Sequence, residues 1–189
     1  MSIDALVKRL QEGDEEAFRS LVDTWQSLVY NTALSLVQQE EDAEDIAQEV
    51  FITAYESIHQ FKGDAKISTW LYKIAVTKSL DHIRKKNRKK RWGKLASIFG
   101  KQEEEMVSPP DFQHPGVTLE NKERAAMLMK AVDTLPSMQK AVFVLHKMEG
   151  LSTREIAEIL ELTVAAVDAH MHRAKKNLQV YLENYYNDK

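Results

Sequence analysis

The chain has 189 residues, with 26 Lys/Arg, 29 Asp/Glu, a formal net charge of −3 and no cysteine. Disulfides and thiolate metal sites are therefore excluded, and so is a DNA binder that relies on uniform positive charge. A hydrophobic content of 43% with only 6 Gly and 4 Pro favours compact helical cores over turn-rich β architecture.

The net value hides a strong charge separation. Residues 1–60 carry 3 Lys/Arg against 13 Asp/Glu, a net of −10. Residues 61–94 carry 12 against 2, a net of +10. Residues 95–189 carry 11 against 14, a net of −3. The acidic parts repel phosphate, so the chain alone is expected to bind DNA weakly, and its nucleic-acid contact should depend on a partner. The N-terminus lacks a signal-peptide pattern and no apolar run approaches membrane-spanning length. A cytoplasmic location is the expectation.

Along the chain, a short helix precedes Gly13-Asp14, with Asp14 as N-cap of the next. Phe18, Leu21, Val22, Trp25, Leu28, Val29, Ala33 and Leu36 give that second helix its stripe. A third helix begins near Gln39–Asp42, with Ala43, Ile46, Ala47, Val50, Phe51, Ala54, Tyr55 and Ile58 at i, i+3, i+4, i+7 spacing. Opposite that stripe stand Asp42, Asp45, Gln48, Glu49 and Glu56. Such a face suits a basic protein partner; the alternative is a solvated acidic face.

A loop, Phe61 to Lys66, leads to a fourth helix with Ser68 or Thr69 as cap. Leu71, Ile74, Ala75 and Ile83 can pack. Trp70 and Tyr72 stand ahead of Lys73, Lys78, Arg84, Lys85, Lys86, Arg88, Lys89, Lys90 and Arg91, with Asp81 as the opposing charge. Rings that stack on bases beside cations that track phosphates suit a partly unpaired strand; a solvated basic helix end with a core Trp is the alternative. Residues 97–116 then carry an acidic triplet, three prolines and two glycines, a linker composition.

The second half predicts helices over 118–134, 136–148, 152–160 and 163–184. Pro136 fits a first turn, Gly150 a helix end, Ser152 with Glu155 a capping box and Thr163 a cap. Residues 151–178 fit a helix-turn-helix, with Ile156, Ala157, Leu160, Val164, Val167 and Met171 inward. Groove-facing candidates are Thr163, Ala165, Ala166, Asp168, Ala169, His170, His172 and Arg173. Lys175 and Lys176 can meet phosphates, and Ser152, Thr153 and Arg154 can touch backbone. An ordinary helical hairpin is the alternative.

Three ordered stretches resemble the sigma-70 family of RNA polymerase sigma factors. Asp42 to Tyr55 looks like its core-polymerase-binding segment, Ser68 to Lys85 like its promoter-melting segment, and Leu135 to Leu178 like its C-terminal helix-turn-helix region. With only a linker between them, order and spacing resemble the extracytoplasmic-function (ECF) group. The resemblance implies an all-α chain of two small helical domains, 1–95 and 118–189, joined by a flexible linker over 96–117. It implies that Asp42, Asp45, Gln48, Glu49 and Phe51 meet the clamp helices of the polymerase β′ subunit. It implies that Phe61, Lys62, Lys66, Trp70, Tyr72, Lys73, Lys78, Arg84 and Lys85 open and read the minus-10 element. The last helix, with the residues named above, would read the minus-35 element, and its domain would sit on the β flap. Many ECF members are held inactive by an anti-sigma factor, which makes one an expected partner here.

Two positions depart from the family pattern. Thr77 stands in a stretch where the melting helix commonly has Asn, and Asp168 replaces an expected cation. Asp168 repels phosphate but can accept from cytosine N4. Promoter elements two helical turns apart lie about 70 Å from each other, and a twenty-residue linker reaches about 65 Å when extended. Two small domains so joined can reach both.

Enzyme readings lack support in the sequence. The carboxylates near Asp45 have no Glu-x-x-His companion. His170 and His172 stand about 200° apart on a helix. No P-loop, nucleophile elbow or dinucleotide fingerprint is present. No cofactor is expected. The competing functional readings are a stand-alone helix-turn-helix regulator and a protein-interaction module that binds polymerase without touching a promoter.

Overall fold

The computed structural model describes residues 3–97 and 119–187, and every regular element among them is helical. The helices are α1 (Ile3–Gln11), α2 (Glu15–Val37), α3 (Glu40–Ser57), α4 (Ile67–Ser97), α5 (Leu119–Asp133), α6 (Ser137–Lys147), α7 (Thr153–Leu160) and α8 (Val164–Asn187), with one 3-10 turn at Ile58–Gln60. Most of the expected linker lies outside the described residues; α4 runs on to Ser97, past the expected boundary. No helix among the described residues is long and apolar enough to cross a membrane.

The caps explain most of the boundaries. Asp14 accepts from the backbone N–H groups of Glu16 and Ala17, at 2.9 and 3.1 Å, and so opens α2. Arg9 Nε donates to the same carboxyl at 2.7 Å. That bond, with the backbone bonds, holds Asp14 below the ordinary aspartate range. Gln38 ends α2 in the left-handed region at φ 57°, with its N–H bonded to the Leu34 carbonyl. At α4 the expected caps shift. The Trp70 N–H bonds to the Lys66 carbonyl at 3.1 Å, so the ladder starts two or three residues early, and Ser68 and Thr69 sit inside the first turn.

The first core lies among α1 to α4. Leu6 and Leu10 of α1, Leu21, Val29 and Ala33 of α2, Ala43, Ile46, Val50 and Ala54 of α3, and Ile67, Leu71 and Ala75 of α4 are buried together. The second core belongs chiefly to α5 to α8, with Val132, Val142, Val144, Leu145, Ile156, Val167, Ala174 and Leu178 inside. It does not stop there. Leu36 of α2 and Tyr72, Val76 and Leu80 of α4 are buried in the same cluster. Helix α4 therefore carries two neighbouring apolar stripes, one for each core.

Candidate partner and nucleic-acid interfaces

Helix α3 buries its apolar stripe and leaves Asp45, Gln48 and Glu49 exposed. Ile52, which sequence reasoning left out, and Tyr55, which it placed on the inward stripe, continue that exposed face at helical spacing. Ile52 is 58% and Tyr55 48% exposed, large apolar surfaces beside carboxylates. The Tyr55 ring is braced edge-on by Phe18, with centroids 5.1 Å apart. A protein-docking face with an apolar centre has this makeup, and the signal in the sequence was Ile52 standing off the inward pattern. Two expected contacts differ. Phe51 is a core residue, because its position on the wheel faces α2 and α4 rather than outward. Asp42 turns toward α4, where Lys86 Nζ lies 2.8 Å and His82 Nε2 3.1 Å from its carboxyl. Burial pushes the Asp42 carboxyl up, but Lys86 and His82 outweigh it and hold it below the ordinary range.

The loop before α4 is pinned from α1. Gln11 Nε2 donates to the Phe61 carbonyl at 2.9 Å. Phe61 is buried and its ring lies 5.2 Å from that of Trp70, at a tilt. Trp70 is half-buried, while Lys62, Lys66, Lys73, Arg84 and Lys85 are exposed. Lys78 pairs with Glu49 at 3.5 Å and Arg84 with Asp81 at 2.8 Å. Tyr72 differs from expectation: it is buried, and its hydroxyl donates to Glu149 at 3.0 Å. Burial, then the Glu149 charge, raises the Tyr72 hydroxyl well above its ordinary value. A strand cannot stack on this ring while the contact stands.

The helix-turn-helix is built from its caps. Ser152 accepts from the Glu155 N–H, and the Glu155 carboxylate accepts from the Ser152 N–H at 2.9 Å. These bonds hold Glu155 below the ordinary glutamate range. The Ser152 hydroxyl is thus engaged in the cap. Glu161 makes the turn at φ 55°. Thr163 Oγ1 accepts from the Ala166 N–H at 3.1 Å and opens α8. Ala165, Asp168, His172, Arg173, Lys175 and Lys176 are exposed along α8, as are Thr163 and Arg154; Thr153, Ala166, Ala169 and His170 are half-buried. His170 Nδ1 is buried without a hydrogen-bond partner, and burial followed by the Arg173 charge lowers its pKa. Val164, expected inward, is 46% exposed as the first residue of α8.

The two helical sets meet through polar bridges as well as the shared core. Lys140 of α6, whose side chain is 4% exposed, pairs with Asp133 at 2.6 Å and donates to the Leu36 carbonyl at 3.1 Å. Gln38 Nε2 donates to the Met129 carbonyl at 3.0 Å. Lys73 Nζ lies 2.5 Å from Glu161 Oε1. Glu149 is raised above the ordinary range by burial, against the pull of the Tyr72 and Thr32 hydroxyls.

Comparison with known proteins places this arrangement. Residues 21–89 match the model of sigma-70 region 2 and residues 119–178 that of sigma-70 region 4. The chain is 33% identical over 186 residues to the ECF RNA polymerase sigma factor SigW of Bacillus subtilis strain 168, covering 97% of this chain and 98% of the relative. It is 29% identical to the ECF RNA polymerase sigma-E factor of Escherichia coli K12, over 90% of this chain and 89% of that one. The fold is shared with the sigma factor RpoE of Bartonella quintana, solved with the anti-sigma factor NepR, at a TM-score of 0.64 and 20% identity over 88% of this chain and 96% of that one. The first matched segment holds α3 and most of α4, with the acidic and basic faces; the second holds α7 and the first part of α8. The chain belongs to the sigma-70 family, as an RNA polymerase sigma factor of the ECF group.

Proposed function

We propose the following division of work within this sigma factor. The exposed α3 face, with Asp45, Gln48 and Glu49 around Ile52 and Tyr55, docks on the clamp helices of the polymerase β′ subunit. The Phe61–Lys66 loop and α4, through Trp70, Lys73, Lys78, Arg84 and Lys85, take the separated minus-10 strand. Helix α8 reads the minus-35 element through Ala165, Asp168, His172 and Arg173, with Lys175 and Lys176 on phosphates. The apolar groove lined by Leu128, Phe143, Leu178 and Leu182 is the surface for the β flap. The helical sets act as separate domains, 1–95 and 118–189, once the linker lets them part.

The chain contributes binding energy and strand separation; polymerase makes the phosphodiester bond. It works in the cytoplasm, where the core enzyme is, and an anti-sigma protein is its expected antagonist, as the RpoE–NepR complex illustrates for that relative. The observation that carries the residue assignment is the separation of faces: an acidic, apolar-centred face on α3, and a basic, ring-bearing face on α4. Photocrosslinking from positions 52, 84 and 172 in the promoter complex tests it. Position 52 should label β′, position 84 the minus-10 strand and position 172 the minus-35 duplex. Labelling of DNA from position 52 would overturn the scheme.

A further inference from the structure

We propose that the cavity where α4 faces α5 and α6 is a binding site for an oligophosphate, free or carried by a nucleoside. The cavity measures about 430 Å³, within the usual range for small-ligand sites. Its charged walls are Arg84, Lys86 and Lys90 of α4 with Lys130 of α5 and Lys140 of α6, and Asp133 is the one carboxylate among its described lining residues. Two of these cations already have partners: Arg84 lies 2.8 Å from Asp81, and Lys86 2.8 Å from Asp42. Lys90 and Lys130 have no carboxylate partner among the described residues. Lys140 is buried; its Nζ spends one N–H on Asp133 and one on the Leu36 carbonyl, and the ammonium keeps a third. Five cations around one hollow repel each other, and a multiply charged anion relieves that repulsion.

Helix α6 adds a second, independent feature. Pro136 and Ser137 stand on the cavity wall, and no side chain caps the helix. Its first N–H groups and the positive end of its dipole therefore favour an anion at the same place. The arrangement suits a phosphate chain rather than a single ion. Lys86 and Lys90 stand one turn apart, about 6 Å along α4, and Lys130 and Lys140 come from other helices, so one phosphate does not satisfy them all. Ile83 and Tyr181, both half-buried, give the hollow an apolar side on which a base can lie. The walls come from both helical sets, so the ligand binds only while the sets lie together. On the parting proposed above, on which this consequence rests, an oligophosphate opposes engagement of core polymerase.

The test uses the full chain at constant ionic strength, with tripolyphosphate, adenosine triphosphate and orthophosphate as probes in calorimetric titrations. Tripolyphosphate should bind once per chain and more tightly than orthophosphate; equal binding of the two overturns the proposal, as does absence of binding. Tighter binding of adenosine triphosphate than of tripolyphosphate assigns the site to a nucleoside oligophosphate, and equal or weaker binding assigns it to the inorganic chain. Lys90→Glu and Lys130→Glu, from opposite walls, should each weaken tripolyphosphate about tenfold or more, the loss of a charge-assisted bond, with helix content by circular dichroism unchanged. Lys89→Glu makes the same charge change on α4 outside the cavity lining and should leave the affinity within about twofold. An equal loss in all three variants would mean that the anion follows the basic face of α4, and that overturns the site. Tripolyphosphate should also weaken binding of the parent chain to core polymerase and spare Lys130→Glu; equal weakening of both, or of neither, overturns the coupling. Failure of the parent to bind core polymerase without any probe would instead overturn the reading of α3.

Discussion

Lys140 and Glu149 show how a residue can matter without advertising itself. Lys140 sits on α6 and Glu149 in the turn after it, and each reaches across to the N-terminal set. Lys140→Ala leaves the Leu36 carbonyl buried without its donor and should cost about 1–3 kcal/mol in a denaturant titration. Glu149 gives a signed pH effect. Burial raises its pKa, so above the ordinary value of 4.5 the folded chain holds a proton that the unfolded chain releases. Its contribution to stability is full below that value and is lost as pH rises through the raised pKa. The difference in stability between the parent and Glu149→Gln should decline across that window, and a flat difference would contradict the burial seen here. At the acidic face, Asp45→Arg or Ile52→Asp should weaken core-polymerase binding about tenfold or more, as loss of an interface anchor does, with helix content by circular dichroism unchanged.

At the scale of the element, local chemistry carried most of the reading. Asp14, Ser152 and Thr163 cap the helices the sequence assigned to them, because capping needs only a side-chain oxygen and nearby N–H groups. Ser152→Ala should therefore cost about 1 kcal/mol in thermal or chemical unfolding. Helix α4 marks where legibility ended. Ile67, Leu71 and Ala75 form one stripe and Tyr72, Val76 and Leu80 another, one residue out of step. In the sequence one packing face is legible, Leu71, Ile74, Ala75 and Ile83, while Tyr72 goes to DNA on its ring beside cations and on the family resemblance; periodicity does not say that a second stripe is covered. Phe51 and Ile52 carry the same lesson in reverse: adjacent apolar residues differ by about 100° on the wheel, and only packing decides which one faces a partner.

At the scale of the whole molecule, the charge separation along the chain becomes a separation of faces. The acidic α3 face and the basic α4 face look away from a common core. The family and the order of its regions were legible from motif spacing. The closed arrangement was not, because it depends on contacts more than 60 residues apart, such as Tyr72 with Glu149. Re-exposing Tyr72, Val76 and Leu80 costs roughly 1.5–3 kcal/mol each, so the proposed parting of the helical sets requires several kcal/mol from binding to polymerase and promoter. Solution scattering should give a radius of gyration near about 16 Å, that of a compact chain of this length; a markedly larger value would mean the halves already stand apart.

Run-off transcription by purified core polymerase on a pool of promoter-bearing fragments, with and without this chain, probes the central claim most directly. Discrete transcripts should appear only when the chain is present, and Ile52→Asp should abolish them while leaving the fold intact. Transcripts that start at the same places and in the same amounts without the chain would contradict the account.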